Sequence, residues 1–222
     1  MRLLLINTAG GEGSVALADT EVAPTIVAEE VLPGRTSSER LVPAVRRLME
    51  ARGWRLSELA AVVVVHGPGS FTGVRVGLSA AKGFSEAGGV GLIAVSRLAL
   101  LAAGVDGGGG PVHAVLDAGR GEFYYGEYVG RRCLREVLMG VDDLPAAVAG
   151  GIVVVCEVKV ADALVGVRPK MVDEPMAGDA LPFALERIAA GEFDDVATLD
   201  ANYLRRTDAE IFAKPAASRA AK

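Results

Sequence analysis

Histidine and cysteine are nearly missing from this 222-residue chain, with two copies of each, and tryptophan occurs once. His66 and His113 each stand alone at the end of an apolar run, so neither a His-x-x-x-His site nor any zinc-like spacing exists. Cys133 and Cys156 are too few for a disulfide framework. Cys156 sits inside the run "GIVVVCEV", where a neutral buried thiol is expected, and neither cysteine has a histidine nearby to make it a nucleophile. Positive charge is also short: 23 Lys and Arg against 28 Asp and Glu give a net charge of −5. That balance argues against a protein that grips nucleic acid by neutralising phosphates, so any such contact is expected to be indirect. No apolar run approaches the ~20 residues of a membrane helix. The stretch after Arg2 is too short for a secretory signal, and a cytoplasmic protein with no membrane contact is expected.

What the chain has in quantity is glycine, 28 residues, and strand-sized apolar runs. "RLLLIN", "SVALAD" and "TIVAEEVL" read as three strands, the first two joined by the turn "TAGGEG". "TSSERLVPAVRRLMEARG" reads as an amphipathic helix with a capping box, Thr36 and Glu39, and an apolar stripe of Leu41, Val45 and Leu48 beside Val42 and Met49. Pro43 inside it predicts a kink without a break. "AVVVV" suits a strand covered on both faces; a helix from "FTGVRVG" onward, the strand "VGLIAV" and the helix "SRLALLAAG" follow. The alternation predicts a mixed α/β sheet. "VDGGGGP" then divides the chain into lobes at 1–106 and 107–206, with a flexible tail expected at 207–222. Beyond the division, "HAVLDAGRGEFYYGEYV" aligns without a gap on "LLLINTAGGEGSVALAD": Asp117 falls on Asn7, Gly121 on Gly11, Glu122 on Glu12. Either a duplication or the chemistry that glycine hairpins share accounts for this pattern.

The segment "HGPGSFTGVRVG", His66 to Gly77, matches no standard site. A phosphate-binding P-loop needs Lys-Ser/Thr directly after its last glycine, and Lys82 lies too far on. A dinucleotide fingerprint would need glycine where Thr72 stands, and a hydrolase elbow would need it at both Pro68 and Thr72. The remaining readings are a helix start capped by Ser70 or Thr72, which is favoured, or an anion held by the same N–H groups. Gly73, Gly77 and Ala81 fall four apart on one helical face, and glycine weakens a helix by ~1 kcal/mol relative to alanine, so close backbone approach is implied. The chain's own sheet is the commoner partner for such a face; a helix of another subunit is the alternative. Asp117, at a strand end by a glycine turn, is the best lone acid for a metal-phosphate, although such residues usually bond their own turn.

The strings "LLLINTA", "RTSSERLVPAVRRLM", "HGPGSFTGVRVGLSAAKGF", "LDAGRGEFYYGEY" and "ANYLRR" resemble the TsaB (YeaZ-like) family, dimerisation subunits of the bacterial machinery that makes threonylcarbamoyladenosine in tRNA. The resemblance covers nearly the whole chain and is densest from Val63 to Gly83. It implies a two-lobe actin-like (ASKHA, RNase H-like) α/β fold with a duplicated mixed-sheet core. It further implies a non-catalytic partner of the TsaD subunit, with a TsaE-like ATPase reached through the complex, a homodimer when alone, and tRNA contacted only indirectly. No cofactor of its own is implied; ATP and a metal ion belong to the partner complex. The implied interface residues are Leu41, Val45, Leu48, Phe71, Gly73, Val74, Gly77 and Ala81, and the implied vestigial phosphate-site positions are Asn7 and Asp117. Two positions depart from the family: Asn7 replaces its usual aspartate, and a histidine it often carries near Ser37 is absent. An ASKHA-type ATPase or kinase, or a glycoprotein endopeptidase, is the competing reading; it would need metal ligands and paired carboxylates on the glycine turns.

Overall fold

The computed structural model describes residues 1–204, and the expected tail at 207–222 lies outside them. The chain opens with β1 (Arg2–Asn7), β2 (Gly13–Asp19) and β3 (Thr25–Leu32), followed by α1 (Ser37–Arg52), β4 (Leu59–Val65), α2 (Phe71–Gly88) and β5 (Gly91–Val95). Helix α3 (Arg97–Ala103) leads into β6 (Pro111–Gly119), β7 (Glu122–Val129) and β8 (Arg132–Gly140). The short helix α4 (Leu144–Ala147), β9 (Ile152–Val155), α5 (Val158–Ala163) and β10 (Lys170–Met171) complete the second half, and α6 (Leu181–Ala190) closes the regular structure.

The two sheets have one plan. The first runs β3-β2-β1-β4-β5 and the second β8-β7-β6-β9-β10. In each, three antiparallel strands are extended by two parallel ones. The alignment of the two glycine hairpins thus reflects a repeat of the whole sheet.

Strand periodicity explains how both faces are filled. Successive strand residues point to opposite sides, and in β1 Leu3 and Leu5 enter the core between the sheets while Leu4 and Ile6 enter the core beneath α1 and α2. Val63 and Val65 of β4 go one way and Val62 and Val64 the other, which is why "AVVVV" is apolar without interruption. The second sheet repeats this: Ala114 and Leu116 join the central core, and Val115 packs with Tyr125, Val153 and Val155 under α4 and α5. Helix α3, buried along most of its length, lies in the central core and packs on β6 and β7.

One local expectation is corrected, one is met as to continuity, and one gains a contact that the sequence did not show. Thr36 does not cap α1 through its side chain; its hydroxyl instead donates to the Pro33 carbonyl at 2.7 Å, within the turn that precedes the helix. Helix α1 runs unbroken through Pro43, which lies on its exposed side. Third, the residues after β10, grouped by sequence with the second lobe, return to the first. Ala177 N–H donates to Ser14 Oγ (2.7 Å), Asp194 N–H donates to the Leu92 carbonyl (2.8 Å), and α6 packs beside β5.

Candidate functional site

The loop between β4 and α2 is built for contact with the end of β1. Ser70 N–H donates to the Ala9 carbonyl (2.9 Å), and Ser70 Oγ accepts from Gly73 N–H (3.2 Å), so the serine is the helix cap. A Cβ on Gly69 would fall inside the Ala9 carbonyl, one on Gly73 inside the Thr8 carbonyl oxygen, and one on Gly77 inside Thr8 Oγ1. Thr8 Oγ1 donates to the Gly73 carbonyl at 2.6 Å, closing the junction. The glycines therefore let α2 lie against its own β1. Other bonds fix the loop's far side: Arg97 N–H donates to the Gly67 carbonyl (2.7 Å), and Asn202 N–H donates to that of His66 (2.9 Å). Glu136 ties the lobes together here, accepting from Ser96, Tyr128 and, at 2.5 Å, Asn202 Nδ2. Burial and the Glu136 charge push the Tyr128 hydroxyl pKa well up. Burial lowers the pKa of His66, whose Nδ1 lies 3.3 Å from the Asp200 carbonyl.

This packing relocates most of the expected interface residues. Leu41, Val45, Val74, Gly77 and Ala81 are buried in the first lobe's own core, Gly73 is pressed on Thr8, and Leu48 is half-buried beside them. Phe71 alone of that set stands out, at 53% exposure, and Val42 on α1 matches it at 53%. The Arg75 guanidinium lies 3.7 Å over the Phe71 ring, and its Nε donates to Tyr203 Oη at 2.7 Å. Val76 and Ala80 lie half-buried along the same side of α2. The outward surface of α1 and α2 is thus apolar at intervals and anchored by a stacked cation. Phe71 carried a readable signal, an aromatic just after a helix cap; Arg75 and Tyr203, 128 positions apart, meet only in the fold.

Both positions expected to mark an old phosphate site are occupied by the chain itself. Asn7 is 1% exposed; its Nδ2 donates to the Pro175 carbonyl (2.7 Å) and its Oδ1 accepts from Ala9 N–H (3.0 Å). An aspartate here would offer no donor to that carbonyl. In the other hairpin, Asp117 accepts from Lys159 Nζ (2.7 Å) and Gly119 N–H (3.1 Å), and this bond raises the Lys159 pKa. The Glu174 carboxylate fills the first glycine turn, where Oε1 accepts from Gly11 N–H at 2.7 Å and from Arg97 Nη2 at 2.6 Å. A Cβ on Gly10 would overlap that carboxylate. Among the described residues no group of three His, Cys, Asp or Glu side chains is placed to hold a metal ion. At the two expected positions, then, Asn7 is an amide, Asp117 is paired with Lys159, and the first glycine turn is filled by Glu174, so the described residues there do not fit a metal-nucleotide. Cys156 is inert by the same local logic, its thiol pushed up to about 11 by burial.

A repeated mixed sheet, the helices α3 and α6 packed in the core between the copies and a glycine hairpin opening each copy define the two-lobe actin-like (ASKHA) class. Comparison with known proteins narrows this. A family model described as "TsaD: tRNA N6-adenosine threonylcarbamoyltransferase" matches residues 25–149. The tRNA threonylcarbamoyladenosine biosynthesis protein TsaB of Escherichia coli (strain K12) is 37% identical over 130 residues, 58% of this chain and 55% of that protein. Its Bacillus subtilis (strain 168) namesake is 34% identical over 129 residues, 58% of this chain and 55% of that one. YeaZ from Pseudomonas aeruginosa superposes with a TM-score of 0.75 at 30% identity, over 91% of this chain and 99% of that structure. The chain belongs to the TsaB (YeaZ-like) family, within the wider group that the TsaD model describes. It spans about half the length of the curated relatives it matches. Among the described residues no helix is long and apolar enough to cross a membrane.

Proposed function

We propose that this chain is a non-catalytic assembly subunit of the cytoplasm that binds a TsaD-like catalytic subunit and supports threonylcarbamoylation of the N6 of the tRNA adenosine beside the anticodon. The observation that carries the reading is that both glycine hairpins are closed by the chain's own side chains, Asn7 on Pro175 and Asp117 on Lys159. A protein so arranged contributes surface, and ATP, the metal ion and acid-base groups belong to its partners, including a TsaE-like ATPase that it meets through the complex. The surface is the outward side of α1 and α2, with Val42 and Phe71 as apolar anchors and Arg75 stacked between Phe71 and Tyr203. Exposed apolar residues on neighbouring helices are what a partner helix pair buries. The same surface pairs two copies when the catalytic subunit is absent. A net charge of −5 leaves tRNA to the partner.

The experiment is titration calorimetry of the purified chain against the TsaD-like subunit of the same organism, beside sedimentation of the chain alone. Phe71→Glu and Val42→Glu are expected to abolish both associations and leave the melting temperature unchanged, because both side chains are half in solvent already. Native affinity in both variants would remove the surface assignment. Turnover of ATP by the chain alone, abolished by Asp117→Ala, would overturn the non-catalytic reading.

A further inference from the structure

Arg97 is 5% exposed, and a guanidinium withdrawn from water needs a counter-charge. Its only described ion pair is with Glu174, and its Nε, also shielded from solvent, has no acceptor among the described residues. The glycine turn supplies a second donor, Gly11 N–H, aimed at the same Glu174 oxygen, and the missing side chain of Gly10 supplies the space. Glu174 is held there by the segment around it. The Asn7 side chain bonds the Pro175 carbonyl, Ser14 accepts from Ala177 N–H, and Glu29 accepts from Gly178 N–H.

We propose that Arg97 and the Gly11 N–H form an intact seat for a small oxyanion, of phosphate or carboxylate kind, and that the Glu174 carboxylate is its built-in occupant. The seat has the chemistry of an anion site: one buried cation, one backbone donor and a backbone turn without side chains. It is closed from within, at the hairpin where the fold would otherwise admit a phosphate. Gly11 is exposed and Glu174 keeps about 34% of its side-chain surface in solvent, so an ion from solvent can reach the seat once the side chain is shortened. The segment 174–178 is therefore a plug, and strapping it down by Asn7 keeps the first lobe from binding anions.

The test uses the full chain with inorganic phosphate as probe, against chloride at matched ionic strength, read by calorimetry and thermal unfolding. Wild type is expected to show no phosphate-specific binding. Glu174→Ala is expected to bind phosphate at least about tenfold more tightly than wild type and to regain in phosphate the melting temperature that it loses in chloride. Adding Arg97→Met is expected to abolish both effects. Glu174→Ser, which shortens the side chain and removes the charge but keeps a polar group at the turn, decides the matter should the alanine variant not fold: it is expected to gain phosphate affinity in the same direction. Phosphate affinity no higher than wild type in the variants that fold, or binding that survives Arg97→Met, would overturn the proposal.

Discussion

The two lobes share a strand order and differ in what covers it. The first sheet carries helices of 16 and 18 residues, α1 and α2; at the corresponding places the second carries α4 and α5, with 4 and 6. The hairpins differ in the same sense. In the first, a buried amide and a plugged glycine turn tie the hairpin to the far end of the chain; in the second, an exposed lysine neutralises Asp117 at the surface. One copy of the sheet has been kept as a platform for two long helices, and the other has been reduced to a support. The lesson is that a duplicated sheet fixes strand order, while each copy's loops and helices are free to diverge.

The comparison breaks most readily at the junction of α2 with the end of β1, where glycines allow the contact; α5, which packs on β6 in the second lobe, contains none. Gly73→Ala puts a methyl group into the Thr8 carbonyl, which is backbone and cannot rotate away, so a loss of about 3 kcal/mol is expected in guanidinium unfolding. A loss within about 0.5 kcal/mol, the size of an ordinary surface substitution, would mean that α2 stands off the sheet. Asn7→Asp comes next. It replaces the donor to Pro175 with an acceptor at a fully buried site, for an expected loss of about 2 kcal/mol at neutral pH. The sign with pH follows. Burial against a carbonyl raises the folded-state pKa of the new carboxyl above its unfolded value, so the penalty grows as pH rises through the unfolded pKa and shrinks in acid, where the protonated acid donates to Pro175. A pH-independent penalty would contradict this account.

Lys159→Ala sharpens the contrast from the other side. Lys159 is 65% exposed, so despite its 2.7 Å contact its loss should change stability by only about 0.5 kcal/mol, measured by urea unfolding at moderate salt. A loss as large as that of Asn7→Asp would erase the distinction between the hairpins. The smallest effect expected is a common one. His66 in the first lobe and His113 in the second both have pKa values lowered by desolvation. Each favours the neutral form on folding, so the stability they contribute is present above the ordinary histidine pKa of about 6.5 and declines as pH falls below it. Replacing both with glutamine should flatten the melting temperature between pH 7 and 5, and an unchanged slope would exclude them.

Much of this was written in local chemistry. A strand alternates its faces whatever surrounds it, so "AVVVV" announced a strand covered on both sides, whereas the gapless match of Asn7 to Asp117 left open whether a whole sheet or only the hairpin chemistry is repeated, which the strand order settles. Ser70 could be read as a helix cap because capping is an interaction over three residues. Thr36 had the same signature and failed as a cap, because its hydroxyl bonds back to Pro33 in a turn that the pattern does not reveal.

What the sequence by itself determined, then, is the set of constraints that act over a few residues: strand period, helix start, the need for glycine wherever a backbone must come close. It demanded that Gly73 and Gly77 meet something; only the fold decided that they meet Thr8 of the same chain, leaving Phe71 and Val42 to face outward. It showed Asn7 as an uncharged residue in a place for an acid; only the fold supplied the reason, a carbonyl 168 residues away that requires a donor. Arg97, Gly11 and Glu174 carry no mark of one another in the linear order, since nothing in the spacing of 77 residues encodes a contact between a helix and a returning segment. Such pairs are selected by the packing of whole lobes, where the burial of a charge forces a partner to be found wherever the chain happens to pass.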